Sequence, residues 1–253
     1  EAGAVSYLYY ADRIYQINLA IAGIAVGTVV LPELSKKIKL GKMNEVSNIQ
    51  NKSLELCLLF SIPACFGLLM ASEEITSALF GYGSFLQKDV ITTALALKFF
   101  GFGVPAFALI KVLSNFFFAR DDTKTPFYVS SVCVVINILI SIIFFKSVGF
   151  IIIPIATTIA TWVGVLIYLF LLIKSKYFKI QSFLLVKFVK IITSGLIMLL
   201  YLYFSVDFFE DKLIYKNYYK AIYLIIIVST SAAVYLIAAY IFGVLRTKNF
   251  KTN

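Results

Sequence analysis

Histidine is absent from this chain, which removes the commonest general base, proton shuttle and metal ligand from any account of its chemistry. Cysteine is scarce. Cys57, Cys65 and Cys133 all lie in apolar runs and no two form a C-x-x-C pair, so they read as small apolar side chains, not disulfides or metal ligands. Charge is scarce as well: 14% of the 253 residues, against 61% hydrophobic and a mean hydropathy of +0.93. Soluble globular domains are about half apolar and about a quarter charged. The solvent of this chain is therefore lipid. Glu1 stands where a Met would open a chain, and no signal peptide follows; the sequence reads as a piece of a longer protein that starts mid-chain.

Seven apolar runs are long enough to cross a hydrocarbon core of roughly 30 Å as helices. They lie near 6–31, 53–72, 90–119, 127–145, 148–173, 188–206 and 221–244. The expectation is an all-α, polytopic membrane protein of about seven transmembrane helices. Pro63, Gly101, Gly103 and Pro105 fall mid-span, where neighbouring helices can satisfy freed backbone groups; they predict kinks. Pro32 and Pro126 instead predict span boundaries. Residues 1–175 form one unit of five helices. Residues 176–253 add two more, with no ionisable residue in their apolar middles, as a peripheral, lipid-facing pair.

The net charge is +10. A nucleic-acid partner is not the reading, because the basic residues sit in short loops between spans, as the positive-inside bias requires. Fifteen Lys and Arg lie on the side of the 36–52 loop and five on the other, which predicts a cytoplasmic C-terminus and an outer residue 1.

Four charges break the pattern by lying within spans: Asp12, Arg13, Lys98 and Lys111. A charge at membrane depth is costly and is usually kept for a cavity or partner. From Arg13, the residues Gln16, Ala20, Gly23 and Gly27 follow in steps of three and four, a polar and small stripe on one helix face. It reads either as a packing face with a GxxxG spacing and Asp12 neutralising Arg13, or as a cavity wall on which the planar guanidinium meets an anion such as a phosphate. The second is preferred. Lys98 and Lys111 lie about 140° apart around a helix; Lys111 is the stronger site candidate, and Lys98 reads as a snorkelling side chain. Asn137, Ser141 and Thr157 could offer oxygen ligands to a hard cation, though interhelical hydrogen bonding is the preferred reading. Asp121-Asp122 lacks the second acidic cluster that a Mg²⁺-diphosphate enzyme needs. It reads as a helix cap, or as a partner of Arg120 and Lys124. The chain is read as no enzyme.

Two segments carry a family resemblance. YYADRIYQINLAIAGIAVGTVVLPELSK and KVLSNFFFARDDTKTP resemble the signature stretches of the MurJ/MviN family, the lipid II flippases of the multidrug/oligosaccharidyl-lipid/polysaccharide exporter superfamily. The resemblance implies the C-terminal half of a fourteen-helix transporter: five helices of its second lobe, then a pair forming a groove for a lipid tail. It implies that Arg13 is the cavity arginine, Asp12 its acidic neighbour and Lys111 a second cationic residue. It places Asn137, Ser141 and Thr157 where some members bind sodium as a coupling ion; those members carry an Asp at the position of Ser141. The implied function is to move undecaprenyl-diphosphate-linked peptidoglycan precursor, lipid II, across the bacterial cytoplasmic membrane by alternating access. Its partners would be membrane lipid, that substrate and the missing N-terminal half. An exporter of another lipid-linked oligosaccharide or of a drug, and a non-transporting membrane scaffold, are the alternatives.

Overall fold

A computed structural model describes residues 3–20 and 25–245, and all regular structure among them is helical. In chain order the helices are α1 (Ala4–Leu19), α2 (Ala25–Lys39), α3 (Met43–Met70), α4 (Ser72–Phe80), α5 (Gln87–Phe118), α6 (Lys124–Val148), α7 (Ile152–Lys174), α8 (Ser182–Phe208), α9 (Glu210–Leu213) and α10 (Lys220–Ile241).

Five segments are long and apolar enough to cross a membrane: α3, α5, the 51-residue stretch Lys124–Lys174, α8 and α10. The 51-residue stretch is two crossings, not one. A 3-10 turn at Gly149–Ile151 divides it, Gly149 takes a φ of +74° that a side chain would strain, and α7 packs back along α6. Six of the seven expected runs thus appear as helices.

The expected span 6–31 is described in two helical stretches, residues 21–24 lying outside the described residues. α1 is described to Leu19 and α2 from Ala25. Pro32 is no boundary: it lies inside α2, which continues to Lys39. Three lysines in its last turn, Lys36, Lys37 and Lys39, complement the negative end of the helix dipole and favour the extra turns. α3 likewise begins ten residues before its apolar run, because Val46, Gln50 and Asn51 are buried in its polar first turns. Pro63 and Pro105 lie inside α3 and α5, as expected of span-interior prolines.

α5 is the axle of the molecule: α1, α3, α4 and α7 all pack on it. Its glycines permit that density. A Cβ at Gly101 would stand 2.9 Å from Leu68 Cβ of α3, and one at Gly103 would stand 2.8 Å from Thr158 Oγ1 of α7. Around this Gly101–Pro105 stretch α7 donates two side-chain hydrogen bonds to α5 carbonyls: Thr158 Oγ1 to Phe99 O (2.9 Å) and Trp162 Nε1 to Phe102 O (3.1 Å). α8 packs on α3, where Gly195 approaches the Phe66 ring, and α10 packs on α8. The Tyr235 hydroxyl of α10 donates to Leu59 O at 2.7 Å. The spanning windows of α8 and α10 are each 28% buried, against 61% for α5.

Candidate functional site

α1 buries Ala11 and Ile14, while Val5, Tyr9, Arg13, Gln16 and Ile17 are exposed. Arg13 therefore sits on an uncovered flank. Its guanidinium lies over the Tyr9 ring, 4.7 Å from the centroid, one helical turn away. Among the described residues the ion pairs are Lys37–Glu45, Lys42–Glu45 and Lys187–Glu55, so Arg13 has no carboxylate against it. Asp12 faces another way: it accepts a hydrogen bond from Gln16 Nε2, and Tyr15 bonds it too. Asp12 thus orients its own turn, and its charge acts on the neighbouring guanidinium without forming an ion pair. The stripe from Arg13 is described in part. Gln16 and Ala20 are exposed as expected, Gly23 lies outside the described residues, and Gly27 belongs to α2. The GxxxG pair Gly23 and Gly27 thus rests in part on a residue outside the described ones.

Tyr15 packs α1 against α5, stacking on Phe100 at 4.9 Å and touching Phe107 at 5.0 Å. At about 100° per residue, Lys111 lies within about 40° of both rings, on the α1 side of α5, about 6 Å beyond Phe107. Lys98 lies about 160° from Phe100, on the opposite side. Both lysines are exposed. The structure thus separates them as the sequence did. It brings Lys111 to the flank of α5 that meets α1, but not into contact with Arg13.

Asn137 and Thr157 do meet. Asn137 Nδ2 donates to Thr157 Oγ1 at 2.8 Å, and that hydroxyl donates to Ile153 O at 2.7 Å. This is the interhelical bond expected between α6 and α7. Ser141 Oγ, one turn from Asn137, is buried and has no hydrogen-bond partner among the described residues. No group of three His, Cys, Asp or Glu side chains that could hold a metal occurs there or elsewhere among the described residues.

The second signature stretch folds into a knot. Arg120 donates to Phe116 O (2.6 Å) and Tyr177 O (2.9 Å) and stacks over the Tyr177 ring. Burial lowers its pKa, while the Tyr177 ring side opposes that shift. Asp122 accepts from Thr125 N and Thr125 Oγ1, at 3.0 and 2.7 Å. Partial burial opposes ionisation there, but these bonds prevail and hold its pKa below the usual carboxylate value. Asp122 therefore caps the start of α6, and neither aspartate pairs with Arg120. Asp121 takes a φ of +58°, tight-turn geometry. Carbonyls claim Arg120, so the knot ties the α5–α6 loop to the linker before α8.

Several polar residues escaped the sequence reading. Glu55, buried in α3, pairs with Lys187 of α8 at 2.5 Å. It is a fifth charge inside an expected span. Lys220 is one of the five basic residues on the side opposite the 36–52 loop. It is 1% exposed, donating to Gly81 O (2.7 Å) and Tyr215 O (2.8 Å) between the rings of Tyr82 and Tyr215. Tyr7 OH donates to Asp89 at 2.6 Å, pinning α1 to the start of α5. The one available signal was Glu55, an acid two residues inside an apolar run.

Comparison with known proteins gives this geometry a setting. A family model for lipid II flippase MurJ matches residues 1–224. A probable lipid II flippase MurJ of Rhizobium meliloti is 42% identical over 167 residues, which are 66% of this chain and 31% of that protein. One from Rickettsia prowazekii is 40% identical over 160 residues, 63% and 32% of the two chains. A solved structure of lipid II flippase MurJ in an inward closed conformation superposes with a TM-score of 0.79 at 32% identity. That match covers 96% of this chain and 48% of the other. The chain spans about a third of the length of the curated relatives it matches.

Proposed function

The chain belongs to the lipid II flippase MurJ family, and on that premise we propose that it is the C-terminal part of a transporter that carries lipid-linked peptidoglycan precursor from the inner to the outer leaflet of the bacterial cytoplasmic membrane. The observation that carries this reading is Arg13: a guanidinium on an uncovered helix flank, over an aromatic face and in no ion pair among the described residues, with its acidic neighbour hydrogen-bonded to Gln16. Such a group keeps its donor fork free for a diphosphate. Gln16 lies on the same flank, its amide holding Asp12, and Lys111 adds a second cation along the α1 side of α5.

An apolar cleft of ≈ 240 Å³ between α8 and α10, walled by Ile197, Val234, Ile237, Ala238, Ile241 and Phe242, supports the lipid half of the reading. A polyprenyl chain there would exchange one apolar solvent for another at little cost, while the diphosphate meets the cations. Transport by alternating access needs the lobe that would face Arg13, from the remainder of the protein. The basic end of the bundle would face the cytoplasm. No role is assigned to Asp121 and Asp122 as catalysts, since one shapes a turn and the other caps α6.

The test is complementation of a flippase-depleted strain by the intact protein. Arg13→Ala should abolish growth at normal membrane levels, with lipid II accumulating on the inner leaflet. Normal growth would remove Arg13 from transport, and accumulation of a different lipid-linked oligosaccharide would reassign the substrate. Growth with both Arg13→Ala and Lys111→Ala would favour a scaffold.

A second reading concerns the coupling ion. The unpartnered Ser141 Oγ beside the Asn137–Thr157 bond supports a weak sodium site of neutral oxygens. Replacing sodium by N-methylglucamine should slow transport in the wild type and have no further effect on Ser141→Ala. Equal sodium dependence of the two proteins would exclude the site.

A further inference from the structure

The turn between α4 and α5, residues 81–86, has no regular structure, and Gly83 bends it at a φ of +61°. Within it Gly81 N donates to Ser77 O, Tyr82 N to Phe80 O and Phe85 N to Tyr82 O, which leaves Gly81 O and Phe85 O for other donors. Both are met from the final helices. Lys220, the first residue of α10, donates to Gly81 O at 2.7 Å, and the Tyr215 hydroxyl donates to Phe85 O at 2.7 Å. The Lys220 ammonium also lies 4.4 Å from the centre of the Tyr82 ring. No carboxylate pairs with it among the described residues. A buried ammonium without a carboxylate is costly, and an apolar side chain would fill the space at less cost. What a lysine adds is several donors on a long stem, enough to hold Gly81 O and Tyr215 O together.

The other side of the same turn carries α1. Tyr10 packs on the two rings that flank the turn, Phe80 at 4.7 Å and Phe85 at 5.3 Å. Arg13 follows on the same continuous helix, one turn and about 4.5 Å further along its axis. A displacement at Tyr10 is therefore carried to Arg13. The Tyr7–Asp89 bond anchors α1 to α5 without Lys220, so the lysine is not what keeps α1 in the bundle. It decides the shape of the turn on which Tyr10 is seated. The far half of α10, from Val234 to Phe242, walls the apolar cleft, so one rigid helix joins that cleft to the turn.

We propose that Lys220 is a positioning residue for the substrate diphosphate: by clamping the 81–86 turn to α10 it sets the seat of Tyr10, and through Tyr10 the place of Arg13. The inference rests on the reading of Arg13 as the group that meets the diphosphate.

The experiment measures binding to the intact protein in phosphatidylcholine nanodiscs, with radiolabelled undecaprenyl diphosphate as the probe and undecaprenol as its uncharged counterpart. Arg13→Ala should weaken binding of the diphosphate. Lys220→Met should raise its Kd about tenfold at temperatures well below the Tm of the variant, while undecaprenol binds as it does to the wild type. On the Arg13→Ala background Lys220→Met should add nothing, because it acts through Arg13. Tyr215→Phe loses only the bond to Phe85 O, with little risk to folding, and should raise the Kd about threefold. Tyr235→Phe, which loses the bond from α10 to Leu59 O, controls for stability and should bind as the wild type does. Wild-type affinity in Arg13→Ala would remove the reading of Arg13, and this proposal with it. Weakened binding by Arg13→Ala beside wild-type affinity in Lys220→Met and Tyr215→Phe would overturn the positioning role alone. So would an equal loss in Tyr235→Phe, or additive losses from Arg13→Ala and Lys220→Met, since destabilisation by itself would give either.

Discussion

At the residue scale, membrane charges are controlled by whether a partner reaches them. Glu55 and Lys187 form a largely buried pair, so removing one member strands the other. Lys187→Met should lower stability by about 2 kcal/mol, and adding Glu55→Leu should recover most of that loss. Thermal unfolding of the purified protein checks both; a double variant no more stable than the single would mean that packing, not charge, sets the cost. Lys220 poses the converse case, since its partners are carbonyls and rings. Lys220→Leu leaves Gly81 O and Tyr215 O without their donor. It should destabilise more than Lys216→Leu at an exposed site, by the same assay. Arg13 was legible in the sequence because its anomaly is local: a charge in an apolar run. Lys220 was not, because the group that explains it lies 139 residues away in sequence. Glu55 was half legible, its partner lying 132 residues away.

At the element scale, hydropathy located the apolar middles of the helices and missed their polar ends. α3 starts at Met43 because Asn51 bonds Lys179 O and Gln181 N, contacts between residues more than a hundred apart. Prolines were read correctly where helices pack around them and wrongly at Pro32, because a proline forbids one hydrogen bond, not a helix. Glycine carries a sharper demand at Gly101. Its missing Cβ would stand 2.9 Å from Leu68 Cβ, an atom fixed to the α3 backbone. Gly101→Val should cost about 1–3 kcal/mol by forcing α5 from α3, whereas Gly67→Ala, with open space at its Cβ position, should be neutral or stabilise by up to about 1 kcal/mol, its Tm serving as the control.

At the scale of the whole molecule, the polar contacts sort into two ends. At one, Arg120 holds Tyr177, and Asn51 and Gln181 tie the linker to α3. At the other, Tyr7 meets Asp89, Tyr215 meets Phe85 O, and Lys220 meets Gly81 O. Each end carries its own hydrogen-bonded ties, so each surface of the bundle is braced separately. The sequence foretold which residues share an end, through loop charge, but not which would touch. Orientation follows from the same asymmetry. If the basic end is cytoplasmic, Lys176→Cys is shielded in intact cells and Lys216→Cys faces outward. On a background without native cysteines, a membrane-impermeant maleimide added to spheroplasts should label Lys216→Cys alone, and both sites after permeabilisation. Labelling of Lys176→Cys alone in intact spheroplasts would invert the bundle. It would also reverse the direction in which Arg13 would receive its substrate.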